Sequence, residues 1–469
     1  MIIELLERDA VRIRGLKVEL VSTSALKPYA GNAHTHSKKQ VRQIANSIKV
    51  FGWTNPVLSD AIGNVMAGHG RLKAAKLLGI DQVPVIRIED MTEAQKRAYI
   101  LADNKLAENA GWDPQLLALE LRGLLEMEAD FDITATGFEM GEIDISISDL
   151  DDAEDGDADQ LPEVDPAQPQ VTQLGDLWQL DRHRLLCGDA TQPASFEKLM
   201  DGEQAAMVFT DAPYNVRING HVSGLGSHKH AEFAMASGEM TEAEYTGFLE
   251  TTLGLMAAHS CDGAILFNCM DFRHSYELLT AGRRVGLQLT NLCVWVKTNG
   301  GMGSLYRSQH ELVFVFKKGT APHINNVALG KYGRNRTNVW PYAGMNSFGA
   351  ERDETLAMHP TVKPVALVRD AILDCSNRGG IVLDAFVGSG TTLIAAHRVG
   401  RRGFGLEIDP HYVDVALRRF RAVTGIEPLH ADSGLTFGEL ERAHQGSSGS
   451  SNNSTDGEKK PPKYPRGTS

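Results

Sequence analysis

Four consecutive residues, Asp211-Ala212-Pro213-Tyr214, end an apolar run in this 469-residue chain and combine groups able to do chemistry on an aromatic amine. Such an amine is a poor nucleophile because its lone pair is delocalised into the ring. A carboxylate at Asp211 and the backbone carbonyl of Ala212 suit its two amino hydrogens. They would hold the nitrogen toward sp³ geometry and stabilise the positive charge that develops on it during group transfer. Pro213 fixes the backbone between the polar group and the ring. Tyr214 offers a face for a base taken out of its stack. Taken alone, the tetrad reads more commonly as an Asp-initiated turn after a strand.

A second segment, Ile381-Val-Leu-Asp-Ala-Phe-Val-Gly-Ser-Gly-Thr-Thr-Leu-Ile-Ala-Ala396, reads as strand, glycine turn and helix. Gly388 and Gly390 permit close approach of a ligand to the backbone. Thr391 and Thr392 open the helix, where free N–H groups favour an anionic group. No Lys follows the glycines, so this is not a phosphate loop of the Walker type, and Leu393 breaks the G-x-G-x-x-G pattern of dinucleotide sites. The next strand ends at Glu407, about 20 residues on, where a carboxylate suits the hydroxyls of a ribose. Glycine turn plus ribose-binding acid, without phosphate chemistry, is what an adenosyl ligand needs. Each feature alone is equally a tight turn and a surface Glu.

The elements that must position these groups read as one α/β block over 171–440. Apolar runs at Ala206–Phe209, Ala264–Cys269, Leu292–Val296, Leu312–Phe316, Ile381–Phe386 and Gly403–Ile408 are expected strands. Helical patterns intervene at Thr391–Val399 and Tyr412–Val423. The expected fold class is α/β, a doubly wound and largely parallel sheet with ligands at the carboxyl ends of its strands. Residues 1–147 form a separate block, 148–170 an acidic Pro-containing linker, and 441–469 a Gly/Ser/Asn-rich disordered tail.

Net charge is −13, but eight acids and no base fall between 151 and 170, leaving −5 for the rest. That balance argues against non-specific coating of DNA and leaves room for a locally basic groove. No apolar run is long enough to span a bilayer, and Met1–Gly15 lacks a signal-peptide pattern. A cytoplasmic protein is expected, with scattered cysteines as buried free thiols and no metal site. The His-rich stretch Val216–Met240 reads as a mobile loop closing over DNA or cofactor. Lys331–Trp340, basic and aromatic together, reads as base-edge contacts or equally as a solvated loop with a core Trp340.

Together these pieces resemble the amino-methyltransferases of bacteria and phages, which methylate adenine N6 or cytosine N4 in DNA. Asp211-Ala-Pro-Tyr214 is similar to the family's D-P-P-Y, and Asp384-Ala-Phe-Val-Gly-Ser-Gly-Thr-Thr392 to its cofactor motif. His359-Pro-Thr-Val-Lys-Pro364 resembles H-P-x-x-K-P, Gly188-Asp189 the pair that reaches the cofactor's adenine end, and Trp295-Val-Lys297 and Ser308-Gln-His-Glu311 later strand motifs. The catalytic motif precedes the cofactor motif, the permuted order of the beta group. The resemblance implies a methyltransferase sheet using S-adenosyl-L-methionine and double-stranded DNA. It implies catalytic residues Asp211, Ala212, Pro213 and Tyr214. The implied cofactor residues are Asp189, Thr361, Lys363, Asp384, Phe386, Gly388, Ser389, Gly390, Thr391, Thr392 and Glu407. Ala212 departs from the usual Pro, and Asp rather than Ser at the first position leans toward adenine.

Residues 20–113 resemble a small α+β ParB/sulfiredoxin-like domain through Leu26-Lys-Pro-Tyr29, Asn55-Pro-Val57, Gly68-His-Gly-Arg-Leu-Lys-Ala-Ala75 and Leu101-Ala-Asp-Asn-Lys-Leu-Ala107. That implies a nucleotide or phosphate at Gly68 and Arg71, although the motif usually carries two adjacent arginines. The helix expected at Thr92–Asn109 is amphipathic and reads as a packing element. The expected function is site-specific adenine-N6 methylation in DNA, as in restriction–modification. Cytosine-N4 methylation is the near alternative, and a non-catalytic ParB-like DNA-binding protein the alternative of another class. Whether the chain forms a homodimer is left open.

Overall fold

Polar caps and tight turns delimit the elements along the chain. A computed structural model describes residues 16–127, 131–151, 159, 170–215, 238–300, 305–327, 335–343 and 363–449. The chain divides into two units, 1–150 and 151–469. Thr361, most of Val216–Met240, residues 331–334, residues 152–158 and 160–169 of the acidic segment, and residues 450–469 of the expected tail lie outside the described residues.

The N-terminal unit contains β1 (Val18–Ser22), β2 (Lys27–Pro28), α1 (Lys38–Phe51), β3 (Val57–Ser59), β4 (Asn64–Ala67), α2 (His69–Leu78), β5 (Gln82–Arg87), α3 (Glu93–Glu108), α4 (Pro114–Glu126) and α5 (Met140–Asp151). Its five strands form one mixed sheet in the order β1-β5-β3-β4-β2. Val21, Val57, Val65, Leu72, Val83 and Val85 make its core. Ser37 caps α1, and Thr92 and Gln95 form a reciprocal capping box at α3. Of α3 only Ile100 is buried, while Leu101 and Leu106 are exposed, so the expected packing face is narrow. A second small core joins Leu121 of α4 to Ile143 and Ile147 of α5 through Ile133. Helix α5 runs to Asp151, into the segment expected to be linker.

The larger unit is a three-layer sandwich. Its elements are β6 (Leu177–Leu180), β7 (His183–Cys187), α6 (Pro193–Met200), β8 (Ala205–Thr210), α7 (Glu242–Ala258), β9 (Ser260–Met270), α8 (Ser275–Arg284), β10 (Gln288–Val296), β11 (His310–Lys317), β12 (Val339–Pro341), α9 (Val365–Cys375), β13 (Ile381–Asp384), α10 (Thr391–Arg398), β14 (Arg402–Glu407), α11 (Pro410–Thr424), β15 (Leu429–His430) and α12 (Phe437–Gly449). Ten strands form one sheet in the order β12-β10-β11-β9-β8-β13-β14-β7-β6-β15. Side chains alternate across it: Met207, Phe209, Ile265, Phe267 and Val382 join one core, Val208, Leu266, Leu383 and Leu406 the other. Buried residues of α9, α10 and α11 fill the first core, and those of α6, α7 and α8 the second. Both faces are covered, so the strands read as continuous apolar runs.

Burial, not strand direction, produces such runs, and the sheet is less parallel than expected. The central β9-β8-β13-β14-β7 ladder is parallel. Strand β11, however, runs antiparallel to both β9 and β10, and β6 is antiparallel to β7 and β15. The strand expected at Ile381–Phe386 stops at Asp384, where the glycine turn begins. Helix α12 continues through 441–449, part of the segment expected as tail. Cys187, Cys269 and Cys293 are buried.

Candidate functional site

Strands β8, β13, β14 and β7 are parallel neighbours, so their carboxyl ends fall on one edge of the sheet, spread over about 14 Å at the usual strand spacing. The sequence-expected groups sit there in order: Asp211 after β8, Asp384 at the end of β13, Glu407 at the end of β14, and Asp189 after β7. The Gly188 N–H donates to the Glu407 carbonyl at 2.9 Å, and Asp189 Oδ1 accepts from the Thr191 backbone and hydroxyl at 2.7 and 2.8 Å.

At the β8 end, Asp211 Oδ1 accepts from the Tyr214 hydroxyl at 2.6 Å. Ala212 is buried, and the Tyr245 hydroxyl of α7 donates to the Pro213 carbonyl at 2.8 Å. Tyr245 thereby ties the turn to the helix layer. Asn215 takes the left-handed conformation, φ +53°. Its side chain accepts from the Gly238 and Met240 N–H groups and donates to the Met240 carbonyl. The strand before the tetrad is joined to the cofactor turn through Asp384. That buried carboxylate accepts from the Thr210 hydroxyl at 2.9 Å, the Thr392 hydroxyl at 2.6 Å and the Phe386 N–H at 3.0 Å. Burial pushes it up to about 6, against those three bonds.

The turn itself needs glycine twice, with φ +53° at Gly388 and +87° at Gly390. Helix α10 starts at Gly390 with no side-chain cap. Ser389 and Thr391 accept, through their hydroxyls, from the buried Arg419 guanidinium at 3.0 and 2.9 Å. With Thr392 bonded to Asp384, these three hydroxyls are engaged inside the protein, and the main chain is what the turn offers a ligand. Phe386 packs beside Phe248, ring centroids 5.9 Å apart. Glu407 accepts from the Gly388 N–H at 2.9 Å and the Asp409 N–H at 3.0 Å, and burial raises it to about 7. A carboxylate has about four acceptor positions, so two remain for donors such as a vicinal diol. This acceptor, the uncapped helix and the two positive-φ glycines fit an adenosyl amino acid.

One expected cofactor residue lies elsewhere. The Lys363 ammonium is 2.5 Å from Asp211 Oδ2 and 3.0 Å from Glu311 Oε2. Lys297 approaches the other Glu311 oxygen at 2.5 Å, and the Tyr214 hydroxyl stands 3.4 Å from both Glu311 and Lys363. Burial raises Asp211 above the usual carboxylate range; Lys363 opposes that rise and Glu311 adds to it. Burial also acts to raise Glu311, but Lys363 and Lys297 outweigh it and pull the group to about 2. The sequence did not mark Thr210 and Tyr245 as parts of the site, and it showed Lys297 and Glu311 only as members of resembled strand motifs, with no role assigned. Charges flanking the apolar runs, Lys297 after Val296 and Glu311 before Leu312, were the available signal. In the N-terminal unit Gly68 (φ +92°) caps α2 without a side chain, and buried His69 meets the Tyr29 N–H at 3.4 Å. Among the described residues no cluster of three or more His, Cys, Asp or Glu side chains stands ready for a metal ion. None of their helices is long and apolar enough to cross a membrane.

Three families match. A DNA methylase family matches residues 205–418, a ParB N-terminal domain residues 7–105, and a ParB-methyltransferase HTH domain residues 115–174. The last covers α4 and α5, whose common core residue reading did not connect, and crosses the acidic segment. The ParB-like nuclease domain-containing protein YnaK of Escherichia coli K12 is 52% identical over 82 residues, 18% of this chain and 94% of that protein. Type II methyltransferase M.HpaI of Haemophilus parainfluenzae is 28% identical over 253 residues, 50% of this chain and 73% of the relative. The crystal structure of the M1.HpyAVI–SAM complex aligns with a TM-score of 0.36 and 17% identity, over 50% of this chain and 98% of that one. With a methylase domain over the sheet that carries Asp211 and Asp384, the chain is an N-terminal ParB-like domain joined to a DNA methyltransferase of the N6/N4 amino-methylating family.

Proposed function

We propose that this DNA methyltransferase modifies adenine at N6, with S-adenosyl-L-methionine as its methyl donor. The observation that carries the assignment is the Asp211–Tyr214 turn, bonded through Thr210 and Asp384 to the glycine turn of α10. When bound, the cofactor would supply an electrophilic methyl on a sulfonium, its C–S electron pair left on sulfur as the N–C bond forms, and Asp211 would accept the surplus amine proton. Everything else is done by the chain. Asp211 and the Ala212 carbonyl accept the two amino hydrogens and stabilise the charge developing on nitrogen. Tyr214 supports a base flipped from double-stranded DNA.

Glu407 holds the ribose, Asp189 the adenine end, and the main chain at Gly388, Ser389, Gly390 and Thr391 the amino-acid end, with Phe386 against the ligand. Asp384 and Thr392 act one layer behind, fixing the turn. Thr361 is assigned to the amino-acid end, and Lys363 to Asp211. A phosphate-bearing ligand is assigned to Gly68 and Arg71 of the N-terminal unit, where α2 begins uncapped. A carboxylate at the first tetrad position favours adenine over cytosine N4.

Asp211→Ala is expected to abolish transfer of labelled methyl groups to DNA while S-adenosylhomocysteine still binds. Full activity in that variant removes the catalytic assignment. Mass analysis of nucleosides from treated DNA distinguishes N6-methyladenine from N4-methylcytosine, and the latter overturns the choice of base.

A further inference from the structure

Both carboxylate oxygens of Asp211 already accept hydrogen bonds, Oδ1 from Tyr214 and Oδ2 from Lys363. An incoming base amine needs one of them. Lys363 is the group to move, because its ammonium cancels the negative charge that the developing ammonium on the base requires. It is also buried, and a buried ammonium stripped of its counter-charge is strongly disfavoured. A second acceptor is already in place: Glu311 Oε2, 3.0 Å from the same Nζ.

Resting on the assignment of Asp211 above, we propose that Glu311 is a positioning residue for methyl transfer, which takes over Lys363 as Asp211 turns to the target amine. The cluster is charge-balanced, with Asp211 and Glu311 against Lys363 and Lys297. Handing Lys363 from one carboxylate to the other keeps every buried charge paired. Lys297, over the Trp295 ring at 4.6 Å, remains on the second Glu311 oxygen and keeps Glu311 ionised throughout. The Tyr214 hydroxyl, 2.6 Å from Asp211 and 3.4 Å from Glu311, spans the two acceptors and orients the exchange. Without Glu311 the ammonium has one acid to serve and stays on Asp211.

Single-turnover methylation of duplex DNA by the full chain tests this. Glu311→Gln keeps the shape and removes the charge. Its plateau rate is expected to fall about 10²-fold, the usual cost of a misplaced reacting group, with S-adenosylhomocysteine affinity unchanged within about twofold. The groups facing Asp211 are Lys363, Glu311, Tyr214, Cys269, Asp384 and Tyr245 of α7, with Lys297 behind Glu311. Losing the Glu311 charge favours the ionised form of Asp211. The acid limb of the rate–pH profile therefore moves to lower pH even as the plateau drops, which mere loosening of the site does not produce. Glu311→Asp, with the charge on a shorter arm, recovers part of the rate; it carries the comparison should Glu311→Gln lose S-adenosylhomocysteine binding. A Glu311→Gln plateau within threefold of the parent, or an acid limb that stays put, overturns the positioning role. If Asp211→Ala is inactive in the same assay the site assignment survives that result; if Asp211→Ala is also fully active, the assignment itself fails.

Discussion

Cofactor affinity is expected to depend on pH through Glu407. In the free protein burial raises this carboxyl from 4.5 to about 7, because its two backbone donors do not replace the water it loses. Two ribose hydroxyls donating to it stabilise the ionised form, so the bound state favours the carboxylate. A group that binding deprotonates gives an apparent dissociation constant that scales with the factor one plus the proton-to-Ka ratio of the free protein. With that Ka at pH 7, about nine-tenths of the protein is ionised at pH 8 and about a tenth at pH 6, so S-adenosylhomocysteine binds about tenfold more tightly at pH 8. The sign is fixed by the raised value: affinity is lost as pH falls through 7. Isothermal titration at pH 6, 7 and 8 measures the slope. Glu407→Gln is expected to bind weakly and without slope, since its amide neither titrates nor offers two acceptor oxygens. A flat parental profile, or an equal slope in Glu407→Gln, refutes the assignment of Glu407 to the ligand.

Two further perturbations test the turn beside it. Gly390→Ala places a Cβ at φ +87° and 3.1 Å from the Ala416 Cβ. About 1–2 kcal/mol of stability should go, together with S-adenosylhomocysteine binding, by denaturant unfolding and calorimetry. Asp384→Ala leaves the Thr210 and Thr392 hydroxyls and the Phe386 N–H without their shared acceptor and is expected to cost about 3 kcal/mol. Asp384→Asn keeps one carbonyl oxygen for Thr210 and Phe386 and is expected to cost less than half as much; equal losses in the two variants contradict the bridging role.

What the sequence disclosed was mostly local. The glycine turn is visible because strand, positive-φ glycines and helix follow one another within 16 residues, and β8 shows as a buried run ending in the tetrad. The two partners that lock Asp211 and Asp384 are not local: Lys363 lies 152 residues after Asp211, and Thr210 lies 174 before Asp384. No periodicity reports such pairings, so motif resemblance sent Lys363 to the cofactor while the fold sets it on Asp211. Strand direction was hidden for a similar reason, since β11 is buried on both sides whichever way it runs. The helices α4 and α5 share a core built from scattered Leu and Ile residues. Beside the acidic run at 151–165 those residues gave too weak a period to announce a domain.

The permuted motif order has a simple structural meaning. Chain order places the catalytic strand β8 some 170 residues before the cofactor strand β13, yet the two are hydrogen-bonded neighbours, with Val382 beside Met207 and Leu383 beside Val208. What transfer requires is that two strand ends lie one strand apart, and either order of threading satisfies it. Threading does decide how the ends are held together. Because β8 and β13 come from distant parts of the chain, no short turn fixes their offset, and packing of their buried faces and cross-strand bonds must set it. The Thr210–Asp384–Thr392 bonds help to do so: Thr392 of the first turn of α10 holds the buried carboxylate in place, and a shift of β8 against β13 breaks its bond to Thr210, the last residue of β8. On the proposed assignment, Asp384 is the joint that keeps the base-binding and cofactor-binding ends in register.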